Sequence, residues 1–306
     1  MNEAIQSAAV IVNPTKFGDD LQDAIASVIA GFRRRGLPVP TVVETTEDDP
    51  GYGQTRQVLS DGARLVCALG GDGTVRAVAH ELAGTGIPLG LLPGGTGNLL
   101  AGNLGAPTDL EDAVEVVCTG IDRRIDAAWA VVDGGERQLF TVMAGMGFDA
   151  AMVDDAPEGL KKTMGWPADV VSGAKNLRSG TFGAHITTDN ERTDAANVRT
   201  VVVGNCGTLK AGLTLFPDAL IDDGILDTVV VCPSGLAQWV GAVWTLARGA
   251  DGADSDAIAR SRGGRIRIEV DPAQRVELDG DAFDEARTME ITIDPGAMIV
   301  RVPRCE

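Results

Sequence analysis

The sequence predicts a doubly wound α/β sheet followed by a β-rich domain, and three observations carry that reading. Short, wholly apolar runs alternate with helix-like segments over the first third of the chain, the pattern of parallel strands covered on both faces. Beyond Arg123 the apolar runs become more frequent and alternate with polar residues, as half-buried strands do. The 306 residues also exceed the roughly 250–300 at which single cores stop growing. The expected domains are 1–122 and 123–294, with the segment 295–306 returning to the first.

In chain order, Val10-Ile11-Val12 is the first strand, ended by Asn13-Pro14. A helix follows with Asp19 or Asp20 as its N-cap and Leu21, Ile25, Val28, Ile29 and Phe32 on one face. Arg33-Arg34-Arg35 fill its last turn and Gly36 lies past its end, where helix dipole and cap geometry favour them. Residues 39–44 form the next strand, and 56–60 lie in the next helix. The apolar strand 64–69 runs into Gly70-Gly71-Asp72-Gly73-Thr74. Residues 75–82 are helical and 88–92 form a strand. Gly94-Gly95-Thr96-Gly97-Asn98 opens another helix, and 110–118 is amphipathic. The second domain reads as strands at 125–132, 139–144, 184–188, 198–204, 228–231, 265–270 and 289–293, with helical pieces near 166–177 and 235–248. The acidic, glycine-rich stretch 249–256 reads as a mobile loop.

Charge and composition exclude several classes. With 26 Lys+Arg against 44 Asp+Glu, the net charge is −18, the opposite of the basic face a nucleic-acid binder uses. It also disfavours electrostatic attachment to an anionic membrane. Five cysteines without a CxxC pair fit a reducing cytoplasm better than a disulfide framework. Two distant histidines, His80 and His185, leave little for zinc ligation or a Ser-His-Asp triad. The N-terminus lacks the charged and apolar regions of a signal peptide. The most apolar stretch, 226–247, is broken by Pro233-Ser234-Gly235, whereas a spanning helix needs about 20 apolar residues.

The chemistry concentrates at strand ends. Gly70–Gly71 lets the backbone approach a ligand, and the helix that follows offers unpaired N–H groups to an anion. Asp72 beside a phosphate implies a metal or a proton transfer. The motif is neither the Rossmann fingerprint nor a P-loop, which needs a lysine. Gly94-Gly95-Thr96-Gly97-Asn98 repeats the logic at the carboxyl edge of the same sheet, where open α/β sheets bind ligands. Asn13-Pro14-Thr15-Lys16 ends the first strand on that edge, and Lys16 is a candidate phosphate contact.

Together these segments resemble the diacylglycerol kinase catalytic family, which includes bacterial soluble lipid kinases and sphingosine kinases. In fold it is related to NAD kinases and phosphofructokinases. The resemblance rests on Asn13-Pro14-Thr15, Gly70-Gly71-Asp72-Gly73-Thr74 and Leu92-Pro93-Gly94-Gly95-Thr96-Gly97-Asn98. It continues through the segment 216–227 and Leu278-Asp279-Gly280-Asp281, and so covers nearly the whole chain in the family's motif order. It implies an ATP cleft between an α/β domain and a C-terminal β-sandwich. Asn13, Thr15, Gly70, Gly71, Asp72, Gly73, Thr74, Gly95, Thr96 and Asn98 would line the nucleotide. Thr46 matches a further nucleotide-contacting threonine, with Thr45 as its rival. In the similar magnesium loop, Leu220 and Ile225 would give backbone carbonyls and Asp223 its carboxylate, an oxygen set suited to Mg2+.

Three positions depart from the family pattern. Asp281 stands where a glutamate usually accepts the lipid hydroxyl proton, one methylene shorter. Arg76 stands where an Asn-Glu pair commonly follows the first glycine motif, and Gly102 where an arginine often follows the second. The implied activity is ATP-dependent phosphorylation of a lipid hydroxyl, diacylglycerol to phosphatidic acid, with Asp281 and Asp72 as proton acceptors. The alternatives are an NAD kinase and a catalytically silent nucleotide-binding regulator. A cytoplasmic protein working transiently at a membrane surface is expected, with a homodimer left open. Trp166, Trp239 and Trp244 are candidates for core or lipid contact, and 33–35 for a docking patch.

Overall fold

Wholly buried strands build the first half of the structure, a computed structural model that describes residues 5–147, 181–208, 214–232 and 257–304. The chain divides into two units, Met1–Ala127 with Asp294–Glu306, and Ala128–Ile293. In the first unit, β1 (Ala8–Val12) and β3 (Leu65–Gly70) are buried at every residue. β1 pairs in parallel with β2 (Thr41–Glu44) and β3, and β3 pairs in parallel with β4 (Leu89–Pro93). The end of β14 (Asp281–Val302) adds to β4 through Val300 and Leu89. Arg301, buried, donates to the carbonyls of Val117 and Cys118 and pairs with Asp122.

Helices cover both faces of this sheet. α1 (Leu21–Arg34) and α5 (Leu110–Thr119) bury Val28, Phe32, Val114 and Val117 against Val10, Val12, Cys67 and Leu69. α2 (Tyr52–Ser60) and α3 (Asp72–Leu82) cover the other face, where Ala77 and Val78 lie close to Ile11 around Gly51. Asp20 precedes α1 as expected, but its side chain makes no capping bond. Asp109 does cap α5, accepting from the N–H groups of Glu111 and Asp112. All four central strands end at one edge: the register sets Val12 beside Leu69 and Glu44, and Gly70 beside Pro93.

The second unit is antiparallel. β7 (Met143–Met146), β10 (Thr200–Gly204), β11 (Leu226–Val231) and β12 (Ile258–Gly263) pair in that order. β13 (Arg265–Leu278) pairs with β8 (Phe182–Thr188) through residues 266–271 and with β7 through residues 276–278. Between those stretches its ladder with β14 breaks from Glu269 to Gln274, where Pro272 has no N–H to give. One strand thereby serves two layers, and Ile266, Ile268, Val276 and Leu278 join a single core with Val201, Val203 and Phe140. β5 (Ile121–Val132) and β6 (Arg137–Phe140) form a further hairpin over Ala128–Val131.

Two expectations change. The strand expected over 139–144 is two, because Thr141 and Val142 give their N–H groups to the Asp279 carboxylate instead of a ladder. The strand expected over 198–204 is β10, preceded by a separate β9 (Glu191–Val198) that pairs with β8. β12 follows closely on the stretch read as a loop. The helical pieces at 166–177 and 235–248, the loop at 249–256, and Trp166, Trp239 and Trp244 lie outside the described residues. Among the described residues, no helix is long and apolar enough to cross a membrane.

Candidate active site

The two glycine turns meet backbone to backbone. β3 ends at Gly70 and α3 starts at Asp72, while β4 ends at Pro93 and α4 (Leu99–Asn103) starts five residues after Gly94. The N–H of Gly94 donates to the carbonyl of Gly70 at 2.9 Å. A Cβ at Gly95 would lie 2.8 Å from the Cα of Gly71, and one at Gly94 would lie 2.6 Å from the Phe17 ring. Side chains are excluded there by contact. Lys16 closes the rim: its Cε would be 3.4 Å, and its Nζ 3.9 Å, from a Cβ on Gly71. α3 opens at Asp72, after Gly71 as its N-cap, and the first amides of a helix point out of its N-terminus. Backbone amides, a helix N-terminus and one ammonium therefore converge, the donor set an anion needs.

Asn13 braces this cradle from β1. Its Oδ1 accepts from the N–H of Thr15 at 3.1 Å and from its hydroxyl at 2.8 Å, and its Nδ2 donates to the hydroxyl of buried Thr74 at 3.4 Å. Asn98 has φ 48°, and its Nδ2 donates to the Gly95 carbonyl at 2.9 Å. Thr96 is exposed at the tip of the second turn. Thr46 is exposed and bonds within its own turn, its N–H donating to the Asp49 carbonyl and its Oγ1 accepting from the Asp49 N–H. Thr45 is buried, its N–H donating to Val12, so of the two only Thr46 presents its side chain to solvent.

Asp72 ties the second glycine turn to the first. Its Oδ1 accepts from the N–H of Leu99, and Gly97 lies against its Oδ2. The carboxylate of the first turn is thus the cap of the helix that follows the second. Arg76 is buried in α3, and Gly102 has open space where a side chain would start.

The Leu278-Asp279-Gly280-Asp281 segment is the β13–β14 hairpin. Asp279 and Gly280 both have positive φ, 51° and 89°, the two-residue turn that matches strand twist. Asp279 is buried, and its carboxylate accepts from the N–H groups of Thr141, Val142 and Met143 and from the Thr141 hydroxyl, at 2.7–3.1 Å. That network fixes the hairpin. Asp281, the next residue after the turn, is exposed. Glu277, two residues before Asp279 and missed in the sequence, is partly buried. Burial first, then the nearby Asp279 and Asp281 charges, push its carboxyl up to about 7.

At the residues expected to hold magnesium, a guanidinium of this chain stands against the carboxylate. Leu220 is 59% exposed. Asp223 Oδ1 accepts from the N–H of Ile225 at 3.0 Å, and its Oδ2 from Arg262 Nη2 at 3.2 Å. Arg262 Nε lies 2.9 Å from Asp227 Oδ1. A guanidinium already stands where the loop's carboxylates converge, and both Asp223 oxygens face N–H donors. Asp227 Oδ2 is buried without a hydrogen-bond partner, and burial pushes that carboxyl up. Among the described residues no group of three or more acidic, histidine or cysteine side chains could hold a metal.

Known proteins point the same way as the glycine cradle. Residues 7–130 match the diacylglycerol kinase catalytic domain, and residues 141–302 match the YegS C-terminal NAD kinase β-sandwich-like domain. A diacylglycerol kinase of Mycobacterium tuberculosis is 28% identical over 308 residues, covering 98% of this chain and 96% of that one. An uncharacterised Synechocystis protein is 31% identical over 228 residues, 72% of this chain, and the chain spans 51% of that protein's length. A crystal structure of a putative diacylglycerol kinase from Bacillus anthracis shares the fold, with a TM-score of 0.78 at 22% identity over 99% of this chain and 98% of that one. Both units are matched, and the paired glycine turns fall inside the first match: the chain belongs to the family of YegS-like lipid kinases, which join a diacylglycerol kinase catalytic domain to a YegS C-terminal β-sandwich-like domain.

Proposed function

We propose that this protein is an ATP-dependent lipid kinase whose acceptor is the free hydroxyl of diacylglycerol and whose product is phosphatidic acid. Family membership makes it a phosphotransferase with an alcohol acceptor. The observation that carries the nucleotide assignment is the contact between Gly71 and Gly95, with Lys16 against Gly71. In a chain of net charge −18, a triphosphate needs a local site of this kind to be held at all.

In this reading the amides at the start of α3 and Lys16 hold the phosphates. Asn13, Thr15, Thr74 and Thr96 surround them. Phosphoryl transfer asks mainly for positioning and charge neutralisation, and magnesium bound with the nucleotide supplies part of the latter. The acceptor oxygen attacks the γ-phosphorus, the bond to the β-phosphate oxygen breaks, and ADP leaves. The hydroxyl proton passes to Asp281, a solvent-facing carboxylate on a hairpin fixed by Asp279. A positioned base of this kind contributes roughly 10²–10⁴-fold. Asp72 acts by holding the two turns together. Because the acceptor resides in bilayers, the enzyme works transiently at a membrane surface.

The test is transfer from labelled ATP, with MgCl2 present, to diacylglycerol, sphingosine or a polyprenol in mixed micelles, or to NAD. Labelled phosphatidic acid is the expected product. Label in NADP instead would make the protein an NAD kinase. ATP binding with no transfer to any acceptor would make it a nucleotide-binding regulator.

A further inference from the structure

We propose that Arg262 supplies the cation of the acidic 218–227 loop, so that the loop is ordered by a guanidinium of this chain and not by a bound divalent ion. The proposal stands apart from the identity of the lipid acceptor.

Four aspartates lie in this stretch, Asp218, Asp222, Asp223 and Asp227. Asp218 and Asp222 are exposed, whereas Asp223 is half-buried and Asp227 buried. The last two are the carboxylates that need a counter-charge, because removing a charge from water is costly unless it is paired. Arg262 reaches both through separate donors, Nε to Asp227 Oδ1 at 2.9 Å and Nη2 to Asp223 Oδ2 at 3.2 Å. Nη2 also donates to the Asp218 carbonyl at 3.3 Å, and neighbouring Arg260 donates to the Leu215 carbonyl at 3.2 Å.

This placement is not an accident of side-chain rotation. The antiparallel register of β11 and β12 sets Asp227 directly opposite Arg262, and cross-strand partners lie about 4.5–5.5 Å apart at Cβ. The strand pairing itself delivers the guanidinium to the loop. A magnesium ion demands near-octahedral oxygen ligands at about 2.0–2.1 Å. Here it would have to displace Arg262 from Asp223 or sit beside its positive charge.

The test uses the full chain without nucleotide. Thermal unfolding and amide hydrogen exchange over residues 215–227 are compared in EDTA and in millimolar MgCl2, with ionic strength matched by NaCl. The wild-type melting temperature and loop protection are expected to be the same in both. Arg262→Gln is expected to lower the melting temperature in EDTA by about 3–6 °C and to expose the loop amides, and magnesium is expected to restore part of that protection. Arg262→Lys, which keeps the charge but loses the fork, is expected to fall between. Loop protection that appears in the wild type only with magnesium would overturn the proposal, and needs no variant to fold. An Arg262→Gln protein with wild-type protection in EDTA would overturn it equally.

Discussion

Asp72 Oδ1 accepts a 2.7 Å hydrogen bond from the backbone N–H of Leu99. The two residues belong to different strand–helix crossovers, 27 positions apart, and the bond spans the meeting of the two glycine turns. A carboxylate on a helix-terminal amide is among the stronger hydrogen bonds a protein makes. Asp72→Ala is therefore expected to cost about 0.5–2 kcal/mol of stability and to weaken ATP binding, as the turns lose their tie. Asp72→Asn keeps an acceptor oxygen but loses the charge, and should melt between Asp72→Ala and wild type. Thermal unfolding and an ATP titration of both variants check this. Equal melting of Asp72→Ala and wild type would show that the tie holds nothing.

Gly95→Ala introduces a Cβ 2.8 Å from the Gly71 Cα, a backbone atom that cannot swing aside as a flexible side chain can. The turns must separate, and ATP affinity is expected to fall at least about tenfold. Gly102, in α4, has nothing within 4 Å of the same position. Gly102→Ala should instead gain about 0.5–1 kcal/mol, the usual helix preference for alanine. Calorimetric titration and melting curves of the two variants give the contrast.

Asp279 and Asp281 are two residues apart and should behave oppositely. Asp279→Ala strands three buried backbone N–H groups, each worth about 1–3 kcal/mol when unsatisfied, so a large loss of stability is expected. Asp281→Ala, at an exposed position, should change stability by no more than about 0.5 kcal/mol while lowering kcat about 10²–10⁴-fold. Denaturant unfolding beside kinase assays separates the two. Wild-type kcat in Asp281→Ala would remove it as the base.

Glu277 gives the fold a pH dependence. Its carboxyl, at 4.5 in an ordinary setting, rises to about 7 in the fold. Below 4.5 both states hold the proton and the residue has no effect. Between 4.5 and 7 the unfolded chain ionises first, so stability falls as pH rises, and above about 7 the loss is complete. Glu277→Gln should flatten the melting-temperature profile across that window and melt higher than wild type at pH 8. An unchanged slope would contradict the assignment.

The sequence made the central strands plain because burial on both faces leaves no polar residue in β1 or β3. The glycine turns were equally legible, since few other residues allow such close backbone approach. β9, Glu-Arg-Thr-Asp-Ala-Ala-Asn-Val, and β12, Ile-Ala-Arg-Ser-Arg-Gly, were not. Both are largely polar strands whose pairing depends on a neighbour's register. Thr141-Val142 favours a strand locally, and only the carboxylate of Asp279, 138 positions from Thr141, turns it into a break. The same limit hid the bond from the Leu99 N–H to Asp72 and the reach of Arg262 to Asp223. Each is a contact between residues that local pattern cannot connect.

The place of Val300 and Arg301 beside Leu89, Val117 and Cys118 bears on the order of assembly during synthesis. The second unit is one unbroken stretch of chain, 128–293, and a ribosome delivers all of it before the closing strand of the first. Of the two units, the one synthesised first is the one that must wait for the other to be made.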